Sequence, residues 1–370
     1  MAVSFSLVSL FSGIGGLDEG LHQSGFRTRF CCELDEYARA SLGNWTQLRS
    51  VTPEIASDIL QVSSVKLRTR LGLDKGELDL LAGGPPCQSF SLIGKRASLG
   101  DPRGQLLFQM ILFAEEFRPK FVLVEQVKGL RSAPGSDGER GGALKSFEAG
   151  LGDLGYSVQH QVLRASDYGV PQHRERLFIV AAAPGYSFSF PEPSHLNPHK
   201  PQSDGQPEDP RPKHVGVRKV IEDLPSPVKK GEVAHFPNHI DITPPRDKER
   251  IHGVPEGQYL AAQMHLPAHQ RQRLNPKKDT TKFRRLSWDE PSLTLRGGEA
   301  FYHPEEDRYI TPREALRIHG FPDELVLEGP IRGRSGSYRG LDQHRQVSNA
   351  VPPALAAALG RQLVRALKQG

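Results

Sequence analysis

Four short apolar runs in this chain each stop abruptly at residues that carry chemistry, and that repetition restricts the fold more than any other feature. Ser6-Leu7-Val8-Ser9-Leu10-Phe11 gives way to Ser12-Gly13-Ile14-Gly15-Gly16, and Thr28-Arg29-Phe30-Cys31-Cys32 ends at Glu33. Leu78-Asp79-Leu80-Leu81-Ala82 is halted by Gly83-Gly84-Pro85-Pro86 ahead of Cys87, and Lys120-Phe121-Val122-Leu123-Val124 ends at Glu125-Gln126-Val127. Runs this short, bounded by such residues, read as buried strands, while 105–117 and 143–154 read as helices. The product is an α/β fold, whose ligand crevice lies outside the carboxyl ends of its strands, where these side chains are displayed.

Each motif narrows the chemistry. Three glycines after the first run let a ligand approach the backbone, and the helix that follows offers free N–H groups to a carboxylate or phosphate. The spacing is not the dinucleotide fingerprint, and alone it also fits an ordinary sharp strand-to-helix turn. Glu33, twenty residues after Gly13, stands where nucleotide-binding α/β folds hold ribose hydroxyls. Asp58-Ile59 reads as the close of a further strand region. The prolines before Cys87 fix the backbone and lack N–H groups, which suits a nucleophile held in one place; a small buried hydrophobe is the other reading of that cysteine. The polar, glycine-bearing stretch 94–104 reads as a mobile segment. An extended run over Gln172-His173-Arg174-Glu175-Arg176 would put residues 172, 174 and 176 on one face, although by itself it reads as a charged edge strand.

The remaining sequence bounds the setting. With 370 residues there is room for a large domain and a smaller companion. No apolar stretch is long enough to span a membrane and no signal segment opens the chain, so a soluble intracellular protein is expected. Only three cysteines occur, two of them adjacent, so neither a disulfide framework nor a metal site is visible. A net charge of +5 permits a polyanionic partner. Twelve of the thirty prolines fall between Pro191 and Pro245, marking a domain boundary and a loop-rich region. Seven Lys or Arg against one Asp between Arg271 and Arg285, Lys277 and Lys278 among them, fit a surface that grips phosphates. Thr311-Pro312-Arg313-Glu314, closed by Gly320, has the cap, first-position proline and stop signal of a helix. The alanine- and leucine-rich end of the chain is expected to pack back on the first domain.

In this order the motifs resemble those of the DNA (cytosine-5) methyltransferases of the bacterial restriction-modification kind. The resemblance rests on residues 11–16, Glu33, Asp58-Ile59, residues 84–91, Glu125-Gln126-Val127, residues 172–176, Arg308 to Asp323 and Arg345 to Pro353, and covers roughly residues 1–185 and 284–365. It implies a Rossmann-like S-adenosylmethionine-dependent methyltransferase domain over 1–187 and a smaller, loop-rich target-recognition domain over 188–300. A hinge and helix follow over 301–340, and a C-terminal helix over 341–370 returns to the catalytic domain. Phe11, Ser12, Gly13, Gly15, Gly16, Glu33, Leu34, Asp58, Ile59, Pro85, Leu106, Asn349, Ala350 and Val351 would surround S-adenosylmethionine, with no metal. Cys87 would be the nucleophile and Glu125 the acid, with Arg174 and Arg176 on the base. Gln88, Ser89, Gln172, Lys277 and Lys278 would meet double-stranded DNA, out of whose stack the cytosine must flip. A monomer in the bacterial cytoplasm, nucleoid-associated while acting and with a cognate restriction endonuclease in the same system, is the expected context. One position departs from the family: its usual Glu-Asn-Val is Glu125-Gln126-Val127 here. Structured RNA as substrate and a non-catalytic regulatory role are the competing readings; intact Cys87 and Glu125 weigh against the second.

Overall fold

The apolar runs become neighbouring strands of one sheet in the computed structural model, which describes residues 4–86, 105–135, 138–198, 209–260, 267, 283–332 and 340–370. Strands β1 (Phe5–Leu10), β2 (Phe26–Cys32), β3 (Glu54–Ala56), β4 (Leu80–Gly83) and β5 (Phe121–Gln126) run parallel. Beyond β5 come β6 (Ser157–Arg164) and β8 (Glu175–Ala182), β8 lying antiparallel between β5 and β6, whereas β7 (Gln172–His173) belongs elsewhere. The order is β3-β2-β1-β4-β5-β8-β6. It reverses direction at β1 and β4, so the carboxyl ends of those two strands flank the switch point at which such sheets open a crevice. Every residue of β4 and β5 is buried, as expected of strands covered on both faces.

Helices α1 (Gly16–Gln23), α2 (Glu36–Leu48), α3 (Ser64–Arg70), α4 (Gln105–Phe117) and α5 (Gly142–Asp153) cover the sheet. Met110, Phe113 and Phe117 of α4 and Phe147 and Leu151 of α5 join Val8, Leu10, Leu81, Val122 and Val124 in one core cluster. Asp58 and Ile59 do not end a strand. The Asp58 carboxylate accepts the Leu60 N–H at 3.0 Å and opens a tight turn over Ile59–Gln61, because a short acidic side chain competes with the sheet ladder for backbone donors.

The chain resolves into two compact units. The first gathers Met1–Arg164, Glu175–Glu192 and Pro353–Gly370; the second holds Ala165–Arg174 and Pro193–Pro352. Helix α10 (Pro353–Leu367) therefore completes the first unit after a long excursion of chain. It meets α1 at two glycines. A Cβ on Gly20 would lie 2.2 Å from the Pro353 carbonyl oxygen, and one on Gly360 would lie 2.5 Å from Ser24 Oγ. Ser24 Oγ donates to the Gly20 carbonyl at 2.9 Å and the Ala357 carbonyl at 3.1 Å, tying the helices at the crossing. Gly20→Ala is expected to destabilise the protein by about 1–3 kcal/mol through forced separation. Gly43→Ala, in α2 where a Cβ would meet none of the described residues within 4 Å, is expected to stabilise by up to about 1 kcal/mol. Thermal unfolding of the two variants checks the opposite signs.

In the second unit, short helices α6 (Arg218–Ile221), α7 (Pro245–Ile251), α8 (Pro312–His319) and α9 (Gln343–Asn349) stand among two-residue strands. These are β9 (Val228–Lys229) with β10 (Ile240–Asp241), β11 (Arg284–Arg285) with β13 (Phe301–Tyr302), and β12 (Ser292–Leu293) with β7. The sequence signals of α8 are realised in full. Thr311 Oγ1 accepts the Glu314 N–H, Glu314 accepts the Thr311 N–H, and Gly320 stops the helix at φ +85°. Arg308 forks onto both Glu314 oxygens at 2.9 and 2.8 Å, so this buried carboxylate is paired as well as capping.

Candidate active site

The turn after β1 is held in a conformation that most side chains avoid. Phe11, Gly13 and Gly15 all have positive φ, at 56°, 56° and 82°. A bulky residue such as Phe11 in that region carries strain that its surroundings must hold, a feature concentrated at functional sites. The bracing comes from β2: the Ser12 N–H donates to the Cys32 carbonyl at 2.9 Å, and the Gly13 N–H donates to Glu33 Oε2 at 2.8 Å. Glu33 Oε1 accepts the Asp35 N–H at 2.8 Å, and burial pushes this carboxyl above its usual range despite those two donors. Leu34, beside it, is 71% exposed, an apolar side chain left bare at the rim of the crevice. A Cβ on Gly13 would meet none of the described residues within 4 Å, so they leave open the space it would enter. Phe11 and Leu106 pack partly buried on the core cluster.

Under the turn lie two carboxylates that the spacing of motifs does not reveal. Glu19 accepts Trp45 Nε1 at 2.8 Å, Arg49 Nε at 2.6 Å, Gln23 Nε2 at 2.7 Å and a further bond from Arg49 Nη2. Burial alone would raise its pKa, but these donors outweigh it and hold the carboxyl below its usual value. Asp18 is also fully buried, its donors being the Ser9 and Thr28 hydroxyls and its own backbone N–H, and burial pushes its pKa up to about 6.

The carboxyl ends of β4 and β5 bring the acid and the cysteine loop side by side. Leu80 to Gly83 pair in register with Phe121 to Val124, so Gly84-Pro85-Pro86 leave the sheet next to Glu125 and Gln126. Glu125 Oε1 pairs with Arg176 Nε at 2.8 Å, and a Cβ on Gly84 would come within 3.2 Å of its other oxygen. Glycine at 84 leaves that oxygen room. Gln126 is 1% exposed and its Nε2 donates a short hydrogen bond to the Pro85 carbonyl, fastening the loop to β5. Cys87, Gln88 and Ser89 follow this turn directly and lie outside the described residues.

The run from 172 to 176 does not form one extended face. The Gln172 N–H donates to the Val170 carbonyl at 2.7 Å and the Arg174 N–H to the Gln172 carbonyl at 2.9 Å, two tight turns that break the alternation before β8 begins. Arg176 belongs to the first unit, and Gln172 and Arg174, both buried, to the second. Gln172, expected at DNA, is buried and bonded within its own unit. Its Oε1 accepts the Leu295 N–H at 3.2 Å and its Nε2 meets His319 Nδ1 at 3.0 Å. His319 Nε2 in turn lies 3.1 Å from the Ala350 carbonyl. A carbonyl can only accept, so Nε2 carries the proton and Nδ1 accepts from Gln172. Asn349 is exposed at the end of α9, and Ala350 and Val351 are buried beside it. Lys277 and Lys278 lie outside the described residues.

The family model for C-5 cytosine-specific DNA methylase matches residues 5–365 of this chain. The chain belongs to that family. The type II methyltransferase M.Eco47II of Escherichia coli is 33% identical over 98% of this chain and 79% of its own length. M.PspPI of Psychrobacter is 34% identical over 98% and 80%. The candidate DNA modification methyltransferase encoded within an E. coli prophage superposes with a TM-score of 0.70 at 21% identity, covering 99% of this chain and all of that one, a likeness of fold.

As a DNA (cytosine-5)-methyltransferase with a Rossmann-like fold, the chain belongs to a family that implies S-adenosylmethionine as methyl donor. The carboxyl ends of β1 and β2 fit such a molecule: a strained turn where the described residues leave space at Gly13, a carboxylate after β2, and an exposed Leu34 beside it. Among the described residues no cluster of His, Cys, Asp or Glu could hold a metal ion, and no helix is long and apolar enough to cross a membrane. For this methyltransferase, sequence reasoning found the ends of β1, β2, β4 and β5. It missed Asp18, whose partners lie on β1 and β2, and His319, whose partners are distant in sequence; the one available signal for Asp18 was a carboxyl in the first turn of a helix otherwise turned inward.

Proposed function

We propose that this methyltransferase transfers the methyl group of S-adenosylmethionine to C5 of a flipped cytosine within a specific sequence of double-stranded DNA, through covalent addition of Cys87 to C6. The observation that carries the reading is the fastening of the Pro85 carbonyl by Gln126 beside Glu125, which holds the chain leading to Cys87 against the general acid. The glycine turn, Glu33 and Leu34 would hold the donor, whose bound sulfonium supplies an electrophilic methyl group. The Cys87 thiolate adds to C6 while Glu125 delivers a proton to N3, leaving C5 enamine-like and nucleophilic. After C5 has taken the methyl group, loss of the C5 proton and expulsion of the thiolate restore the ring, and N3 gives its proton back. Arg176, paired with Glu125 here, orients that carboxyl, and its positive charge suits the base's O2. The likeness to type II methyltransferases supports DNA as substrate and a restriction-modification system as context, and this reading takes a bacterial cytoplasm as the setting.

Bisulfite sequencing of DNA from a host expressing the protein should reveal 5-methylcytosine confined to one short sequence; unmethylated DNA with labelled tRNA instead would move the assignment to RNA. Sequence reading is placed in residues 188–300. Replacing Lys277 and Lys278 together is expected to weaken binding to all duplexes and to shallow the salt dependence by up to about two phosphate contacts' worth of slope. An unchanged slope would show that this basic stretch faces away from DNA.

A further inference from the structure

Asp18 anchors a relay of hydroxyl groups that ends on the strained turn. Ser9 Oγ donates to Asp18 Oδ2 at 2.8 Å, and Thr28 Oγ1 donates to Oδ1 at 3.2 Å. Ser9 Oγ and Ser12 Oγ are 2.9 Å apart. A serine has one proton, so while Ser9 gives its own to the carboxylate, Ser12 must be the donor in that contact. Ser12 is then tied by its hydroxyl to Ser9 Oγ, to the Ser9 carbonyl at 3.3 Å and to the Cys31 thiol, by its N–H to Cys32, and by its carbonyl, which accepts the Gly15 N–H at 2.9 Å. It sits between Phe11 and Gly13, both at φ 56°. We infer that ionised Asp18 is a positioning residue for the methyl donor, holding Ser12 through Ser9 and so keeping Phe11 to Gly15 in the conformation that receives the ligand. The inference rests on the reading of this turn as the donor site.

Protonating Asp18 on Oδ2, the oxygen that Ser9 meets, turns that acceptor into a donor, while Oδ1 can still accept from Thr28. Ser9 is freed to donate elsewhere, and the direction of the Ser9–Ser12 contact is no longer set. Among the described residues, the groups facing Asp18 besides its own backbone N–H are few. From β1 there is Ser9; from β2 there are Thr28 and Cys31, whose Sγ lies 4.0 Å away and whose thiol burial pushes well above its ordinary value, so it stays neutral. Helix α10 meets α1 at Gly20, about 200° around the helix from Asp18, and α2 meets it through Glu19. Glu33, in the site itself, also titrates with a raised pKa, and it is present in every variant compared below.

Burying this carboxylate works against stability. Its folded pKa of about 6 lies above that of an unfolded aspartate, about 3.9, so the carboxyl favours the fold fully only below the lower value and loses that contribution as pH rises through the higher. Asp18→Asn should therefore raise the melting temperature at pH 8 by about 2–6 °C and yet weaken ligand binding. A residue with a merely structural role would move both in one direction.

Calorimetric titration with S-adenosylhomocysteine tests the idea. At pH 8, Asp18→Asn and Ser9→Ala should each bind about tenfold more weakly than wild type, roughly one relay bond's worth. At pH 5, where wild-type Asp18 is itself protonated, Asp18→Asn and wild type should agree within about twofold. A constant ratio across the range, or wild-type affinity in either variant at pH 8, would overturn the inference. If wild type binds no S-adenosylhomocysteine at any pH, the donor site itself is misassigned, which is a separate failure.

Discussion

Replacing Cys87 with alanine is expected to abolish methyl transfer while leaving duplex binding largely intact. The thiolate forms a bond only during reaction and adds little to recognition of the ground state, so its loss should appear in turnover and not in affinity. A duplex carrying 5-fluorocytosine at the target should trap wild-type protein covalently, since fluorine cannot leave C5 as the proton does. The two other thiols are poor substitutes. Cys31 and Cys32 are buried, and burial pushes both thiols well above their ordinary value, which suppresses the nucleophilic form. Peptide mapping of the trapped complex should find the adduct on Cys87; an adduct on Cys31 or Cys32, or residual methylation by the alanine variant, would refute the assignment.

Glu125→Gln should reduce single-turnover methylation by roughly 10²–10⁴-fold, with little change in affinity for the methyl donor. The amide keeps the shape of the carboxyl, and its oxygen can still accept from Arg176 Nε, as Oε1 does at 2.8 Å. What it cannot do is deliver a proton to N3. The neighbouring change Gln126→Asn separates chemistry from support. Asparagine, one methylene shorter, is drawn back from the Pro85 carbonyl that Gln126 reaches. Activity should alter by about tenfold or less, one rearranged hydrogen bond being at stake. A wild-type protein that is inert until residue 126 becomes asparagine would make the chain a regulatory relative instead of an enzyme.

What could be read in advance was local. The strand ends near Leu10, Cys32, Gly83 and Gln126 announce themselves through glycine, proline and acidic residues, and the cap at Thr311 through Pro312 and Glu314. Pairings between distant residues carry no such mark. Nothing in the sequence says that Glu19 will collect Trp45 and Arg49, that Asp18 will face Ser9 and Thr28, or that Gln172 will reach His319. The extended reading of 172–176 failed for a related reason. Alternation presumes a straight backbone, and the two tight turns at Gln172 and Arg174 become favourable only because β7 pairs with β12, more than a hundred residues further on. Positive φ at Phe11 was equally hidden, since it is imposed by bonds from β2.

The glycine contact between α1 and α10 also sets a timetable for synthesis. Residues up to 192 of the first unit leave the ribosome early, but Pro353 and everything after it emerge only once the whole second unit has been made. At about 5–20 residues per second, the intervening 160 residues take roughly 8–32 s, during which the notch that Gly20 leaves in α1 has no helix to fill it. A nascent chain thus carries an unsealed apolar seam at its beginning until its end is translated. The part of the molecule that is begun first is among the last to be finished, and a stop just before Pro353 releases a protein whose second unit is entire and whose first unit lacks the helix that closes it.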